Sequence, residues 1–267
     1  MEKNKEHLIL GAISGDIIGS VYEFDNVKTT DFSLFTADSF FTDDTVMTVA
    51  TMDVLLNGSD YASAYQSYGR KYPLRGYGNS FAKWLRSGNP KPYGSFGNGS
   101  AMRVSPVGWA FGTLDKVLAE AKRSSEVTHS HPEGIKGAQA VAAAVFLART
   151  GSSKNEIRGY IRKEFGYPLS LTVDEIRPLY KFDESCQNTV PEAIACFLES
   201  MDFENAIRLA ISIGGDSDTI ACITGSIAEA FYGNIPDQIA IKCAELLAPQ
   251  LLETVTDFSN KLKISQE

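Results

Sequence analysis

Two short acidic clusters hold most of the chemistry this sequence offers. Thr42-Asp43-Asp44-Thr45 precedes one apolar helical run, and Gly214-Gly215-Asp216-Ser217-Asp218-Thr219 precedes another. Ser, Thr and Asp are favoured helix N-caps, and acids are favoured near helix N-termini, but one Asp serves both purposes. The second acid at each start is in excess. If the two starts face each other, four carboxylates crowd one site, and their repulsion in a low-dielectric cleft calls for cations. Oxygen ligands without His or Cys select Mg²⁺, Mn²⁺ or Ca²⁺ over zinc. The clusters therefore read in two ways. They are two helix caps, or they bind one or two hard divalent cations bridged by carboxylates, about 3.5–4 Å apart if there are two.

Three further features surround this pair. Gly15-Asp16-Ile17-Ile18-Gly19 puts two glycines on one helix face and an acid on an otherwise apolar helix. Asp16 is either exposed or a hydrogen-bond acceptor behind the site, and Glu23 falls in the loop that follows. Gly94-Ser95-Phe96-Gly97-Asn98-Gly99 has three glycines in six positions. Such a loop lets backbone approach a ligand and turns N–H groups outward, which suits an anion, although a plain turn has the same composition. It is neither a Walker A loop nor a dinucleotide fingerprint. Thr128-His129-Ser130-His131-Pro132 places two imidazoles at i, i+2, a poor chelate, so a hydrogen-bonding role for one ring is expected. His7 has no evident role.

The chain has 267 residues and a net charge of −8, with 43% hydrophobic and 22% charged residues. This is the composition of a soluble globular protein, and its acidity disfavours a dedicated duplex-DNA binder. Yet the 54 residues from Tyr61 to Leu114 contain no Asp or Glu, seven Lys or Arg and 11 of the 28 aromatics. Positive potential beside aromatic rings fits a ligand with phosphates and a planar base. The plainer alternative is a solvated basic face over aromatic core residues. No stretch reaches the ~18 apolar residues of a membrane helix, and the run from Leu8, interrupted by Asp16, reads as a first core helix rather than a signal peptide. Cys186, Cys196, Cys222 and Cys243 match no zinc or redox spacing and read as reduced, buried thiols of a cytoplasmic protein.

The elements that must position these residues are helical. Apolar residues recur at helical spacing over Leu8–Ser20, Thr45–Leu56, Tyr61–Tyr68, Ser80–Arg86, Leu114–Ser124, Ile135–Arg149, Val190–Ser200, Phe203–Ile213, Asp218–Tyr232 and Pro236–Leu262. Pro191 fits a first helical turn and Gly233 a stop. Gly137–Leu147, alanine-rich and apolar nearly all round, reads as a central buried helix. Leu169–Val173 is the best strand candidate, and Ser152–Asn188 reads as a more charged, less periodic surface insertion. The expectation is an all-α, multi-helical fold in one domain spanning residues 1–267.

Taken in order, Gly11–Phe24, Phe41–Thr48, Arg75–Gly78, Gly94–Val104, Thr128–Pro132 and Gly214–Gly225 resemble the ADP-ribosylglycohydrolase family, which includes the dinitrogenase reductase-activating glycohydrolases. The Thr-Asp-Asp-Thr and Gly-Asp-Ser-Asp-Thr pair is the most specific part of the match. The resemblance implies an all-α fold and a binuclear Mg²⁺ centre, with Mn²⁺ as a substitute. It places the metal ligands on Thr42, Asp43, Asp44, Asp216, Asp218 and Thr219, and a mobile acidic flap residue on Glu23. It assigns the diphosphate and adenosine loop to Gly94, Ser95, Phe96, Gly97, Asn98 and Gly99, a loop histidine to His129, and the wall of the distal ribose to Arg75–Gly78.

The reaction so implied is hydrolysis of the C1″ bond between ADP-ribose and an acceptor, with Glu23 in proton transfer and ADP-ribose as product. Partners are ADP-ribosylated proteins or other ADP-ribosylated acceptors, nucleic acid only as such an acceptor, and no membrane. Family members act on arginine, serine, polymer or other linkages. Arginine-directed members often carry a carboxylate near the Arg75–Gly78 loop, where this chain has Asn79 and Ser80. The alternatives are an ADP-ribose binder without hydrolysis and a Mg²⁺-dependent phosphohydrolase.

Overall fold

A computed structural model describes residues 8–264. His7 lies outside them. In chain order the helices are α1 (Gly11–Gly19), α2 (Asp43–Asn57), α3 (Tyr61–Lys71), α4 (Asn79–Arg86), α5 (Gly99–Met102), α6 (Ser105–Ala110), α7 (Leu114–Glu126), α8 (Pro132–Arg149), α9 (Lys154–Phe165), α10 (Val173–Ile176), α11 (Cys186–Glu199), α12 (Phe203–Ser212), α13 (Ser217–Tyr232), α14 (Asp237–Leu246) and α15 (Pro249–Ile264). Among the described residues the fold is all-helical, and the one β-type pairing is an isolated bridge between Gly97 and Ser185.

The centre of the molecule is a pair of helices, α1 along α13. Both are buried almost all round, as their apolar sequences require. Glycine sets how closely they pack. A Cβ on Gly15 would lie 2.0 Å from the Ala221 carbonyl oxygen, and one on Gly19 would lie 2.5 Å from the Asp218 Cα. Backbone therefore meets backbone, which brings Asp16 of α1 beside the start of α13. The N-terminus of α1 has no capping side chain of its own. Its Leu10 and Gly11 N–H groups donate instead to the Glu229 carboxylate of α13, at 3.1 and 2.7 Å. The alanine-rich α8 lies centrally as expected, against α7, α13, α6, α5 and α11.

Several boundaries differ from the sequence expectation for identifiable reasons. The long helix expected over Pro236–Leu262 is two, because Pro249 starts α15 and disfavours a helical residue before it. Helix α11 begins at Cys186, so Pro191 lies inside it rather than in its first turn. The Leu169–Val173 strand does not form. Leu169 takes a positive φ of 36°, and Thr172 caps α10 in a reciprocal capping box with Glu175. The charged segment after Ser152 is partly regular. Ser153 and Glu156 form a capping box for α9, whose Ile157 and Ile161 are buried. Gly233 stops α13 in the left-handed conformation, as read. All four cysteines are buried and free. No helix of the described residues is long and apolar enough to cross a membrane.

Candidate functional site

The starts of α2 and α13 meet. Thr219 Oγ1 donates to Asp44 Oδ2 at 3.2 Å across a sequence separation of 175. Asp16, Asp44 and Asp218 each offer an oxygen within 4.8 Å of the others, and so do Glu23, Asp216 and Asp218. Asp44, Asp216 and Asp218, with the partly exposed Asp43, floor a cleft of about 460 Å³, a volume suited to a small-molecule ligand; Glu23 lines its rim and Asp16 lies buried behind the floor.

Local chemistry explains how each acid is held. Asp16, fully buried, accepts from Thr42 N at 2.9 Å, Thr42 Oγ1 at 2.6 Å, Thr45 N at 3.1 Å and the Thr45 hydroxyl. It therefore caps α2 from another helix. Thr42 is committed to that network, also accepts from Asp44 N at 3.3 Å, and does not line the cleft. Asp43 N donates to Arg75 O at 2.7 Å, and the Arg75 guanidinium lies 3.8 Å over the Phe41 ring, so the Arg75–Gly78 loop clamps the start of α2. Gly214 and Gly215 both take left-handed φ, 69° and 75°, which turns the chain into Asp216. Asp216 accepts from Asn98 Nδ2 at 2.7 Å, and Asp218 Oδ1 accepts from Thr219 N at 2.9 Å.

A helix cap stabilises by about 1 kcal/mol, whereas an unpaired buried carboxylate costs several. Capping does not account for this density of acids. Burial first, and then the charge of neighbouring carboxylates, pushes Asp43, Asp44 and Asp218 well above the ordinary aspartate range. Burial also lifts Asp216 to about 6 and Glu23 to about 8, the latter with help from Asp218, Glu184 and Asp16. Asp44 Oδ1 is buried without a hydrogen-bond partner. The Cys222 thiol nearby is held protonated by burial and by the Asp44 charge, so the available donors are oxygens. An orphaned carboxylate oxygen amid mutually repelling acids fits a hard divalent cation.

The cleft walls hold most of the remaining expected residues. Gly78 borders it at the N-cap of α4, with open space where a Cβ would be. Ser95, Gly97, Asn98, Gly99 and His129 line it, while Gly94 and the half-exposed Phe96 open onto an adjoining groove with Phe182. Two of the loop's N–H groups are already used, Gly97 N by Ser95 Oγ at 3.1 Å and Asn98 N by Glu184 O at 2.7 Å. His131 accepts from Glu133 N as the cap of α8 and does not pair with His129 around a metal. Of the seven basic residues in the acid-free segment, Arg103 alone lines the cleft, and it is buried. Aromatic Tyr77, Phe81 and Tyr93 line it as well.

Four contributions were not read from the sequence. Asp16 joins the acid cluster, the Asn98 side chain holds Asp216, Glu184 faces Glu23 across the cleft mouth, and Arg103 is buried in the wall. Asp16 gave a signal as an acid on an apolar helix, whereas the other three depend on loops whose packing has no periodicity to read.

Comparison with known proteins finds relatives of this chain. The chain is 30% identical over 320 residues to ADP-ribosylhydrolase ARH3 of Mus musculus, covering 88% of this chain and 86% of that one. It is 27% identical to ADP-ribosylarginine hydrolase Tri1 of Pseudomonas putida (strain GB-1), covering 84% of this chain and 69% of the other. A solved structure described as an "ADP-ribosylglycohydrolase-related protein complex" superposes with a TM-score of 0.69 at 22% identity, over 94% of this chain and 95% of that one, which shows the shared fold. The family model for ADP-ribosylglycohydrolase matches residues 6–266, so a chain whose two acidic helix starts meet at a cleft floor belongs to the ADP-ribosylglycohydrolase family.

Proposed function

We propose that this chain hydrolyses the glycosidic bond between C1″ of ADP-ribose and an acceptor group, releasing ADP-ribose. The observation that carries the reading is the convergence of Asp44 with Asp218 and Thr219 at the floor of a ligand-sized cleft. Asp43, Asp44, Asp216, Asp218 and Thr219 are the residues that would hold one or two Mg²⁺ ions, with Asp16 and Thr42 behind them. Bound there, Mg²⁺ supplies Lewis acidity and a template for sugar hydroxyls.

The chain's own residues do the rest. Phe96 packs against adenine at the mouth, and the Ser95–Gly99 loop faces the diphosphate. His129 donates from the wall. The distal ribose sits between Gly78 and the acid floor, whose negative field favours the cation-like sugar of the transition state. Glu23, at the rim and half-buried, carries a proton between water and the leaving group.

Mass spectrometry of arginine-, serine-, polymer- and DNA-linked ADP-ribose, each with Mg²⁺ and with chelator, tests the reading. Release of ADP-ribose from at least one substrate with Mg²⁺, abolished by chelator, is expected. Tight ADP-ribose binding without release would make the protein a binder. Phosphate release from nucleotides without free ADP-ribose would make it a phosphohydrolase.

A further inference from the structure

Arg103 is the largest side chain that is fully buried, at 1% exposure. Its guanidinium lies 4.1 Å over the Tyr65 ring, and Nη2 donates to Ser124 O at 3.0 Å and to Thr128 Oγ1 at 2.8 Å. Thr128 is itself fully buried. Its Oγ1 lies 2.7 Å from His129 Nδ1. The ring's other nitrogen, Nε2, faces the glycine loop, where a Cβ on Gly99 would lie 3.2 Å away and one on Gly97 3.6 Å. The ring thus has one nitrogen towards the interior and one towards the cleft.

Proton counting settles the direction of the inner bond. A threonine hydroxyl has one proton and two lone pairs. Arginine only donates, so Thr128 Oγ1 accepts from Arg103 and its proton must go elsewhere. Among the described residues, His129 Nδ1, 2.7 Å away, is the acceptor within reach. Were Nδ1 protonated, two donors would point at Thr128 and its own proton would be left buried without an acceptor, at a cost of about 1–3 kcal/mol. A neutral imidazole carries one N–H, and with Nδ1 accepting, it is on Nε2. The backbone fixes the ring's placement too. His129 N donates to Ser125 O at 2.8 Å, and Ser125 Oγ donates to His129 O at 3.0 Å.

We propose that Arg103 and Thr128 are positioning residues that lock His129 in the Nε2–H tautomer, making it a fixed, uncharged hydrogen-bond donor in the cleft wall. Burial, and secondly the Arg103 charge, holds the ring well below the ordinary histidine range, so it stays neutral. With Nδ1 engaged by Thr128 and the proton on Nε2, no lone pair faces the cleft to act as a base. A donor without charge suits an oxygen of the ligand's ribose or diphosphate. That last assignment rests on the functional reading above, whereas the lock does not.

The test is long-range ¹⁵N–¹H NMR of the full chain with labelled histidine, His129 being assigned by its loss in His129→Gln. The expected spectrum has a protonated Nε2 and a bare Nδ1, unchanged across the neutral range. Thr128→Ser retains this signature. Thr128→Val gives averaged tautomers and ADP-ribose binding about tenfold weaker, the scale of one such hydrogen bond. A wild-type Nδ1–H, or an unaltered pattern in Thr128→Val, overturns the lock. If Thr128→Val does not fold by circular dichroism, the wild-type and Thr128→Ser spectra decide. ADP-ribose that moves neither nitrogen of a correctly locked ring counts against the functional reading and leaves the lock standing.

Discussion

The floor of the cleft and its rim are built on different principles. At and behind the floor, elements far apart in sequence hold the acids, with Asp16 capping α2, Thr219 reaching Asp44 and Asn98 holding Asp216. At the rim, Phe24 is 85% exposed and stacks on the half-exposed Phe182 at 6.1 Å, while Phe96 stands edge-on to His131 at 5.5 Å. The floor gathers acids that the fold alone does not pair, and the rim exposes apolar rings. Under the proposed function, the floor would serve bond cleavage and the rim ligand capture.

Substitutions at each level should separate the two. Asp218→Asn should cause the largest loss, about 10³-fold or more in turnover, the scale of a principal electrostatic group, together with loss of Mg²⁺ binding by calorimetry. Unchanged metal affinity would remove Asp218 from the floor's function. Glu23→Gln stands between floor and rim. It should lower kcat by about 10²–10³ with ADP-ribose affinity largely kept, as expected for a proton-transfer group. Full activity would exclude it from the chemistry. Phe96→Ala belongs to the rim alone. It should weaken ADP-ribose binding about tenfold, the scale of one aromatic stack, and leave kcat nearly unchanged. A kcat effect as large as that of Glu23→Gln would erase the distinction.

The smallest effect concerns the scaffold under the floor. Burial raises Glu229 from 4.5 to about 8, against the opposing pull of the Gly11 and Leu10 N–H groups. The folded state then binds more protons than the unfolded chain between those values, so this group's contribution to stability is present at low pH and declines as pH rises to about 8. Glu229→Gln should flatten the decline, read as the variant-minus-wild-type difference in melting temperature across that range, with turnover little changed. Parallel profiles would show that Glu229 is not the source.

The floor was more legible in sequence than the rim, for a physical reason. Two acids at each of two helix starts exceed what a cap needs, and that excess is visible without coordinates. Gly15 and Gly19 share one face of an apolar helix in the sequence, and that face makes the backbone contact with α13. The all-helical class follows from spacing, whereas the break at Pro249 is masked by the strongly apolar pattern around it. Leu169–Val173 showed how a short apolar run mimics a strand when a capping box follows it. The basic, aromatic segment was the least readable. Most of its cations lie away from the cleft, Arg70 and Arg75 bind backbone carbonyls, and Arg103 is buried in the wall. Composition reports charge but not the direction a side chain faces.

The central claim is that the ends of α2 and α13 share divalent cations. Anomalous diffraction from crystals of the protein soaked with Mn²⁺ tests it most directly. We expect a peak within bonding reach of carboxylate oxygens from both Asp44 and Asp218. Strong Mn²⁺ peaks elsewhere, with none between these two residues, would contradict the account.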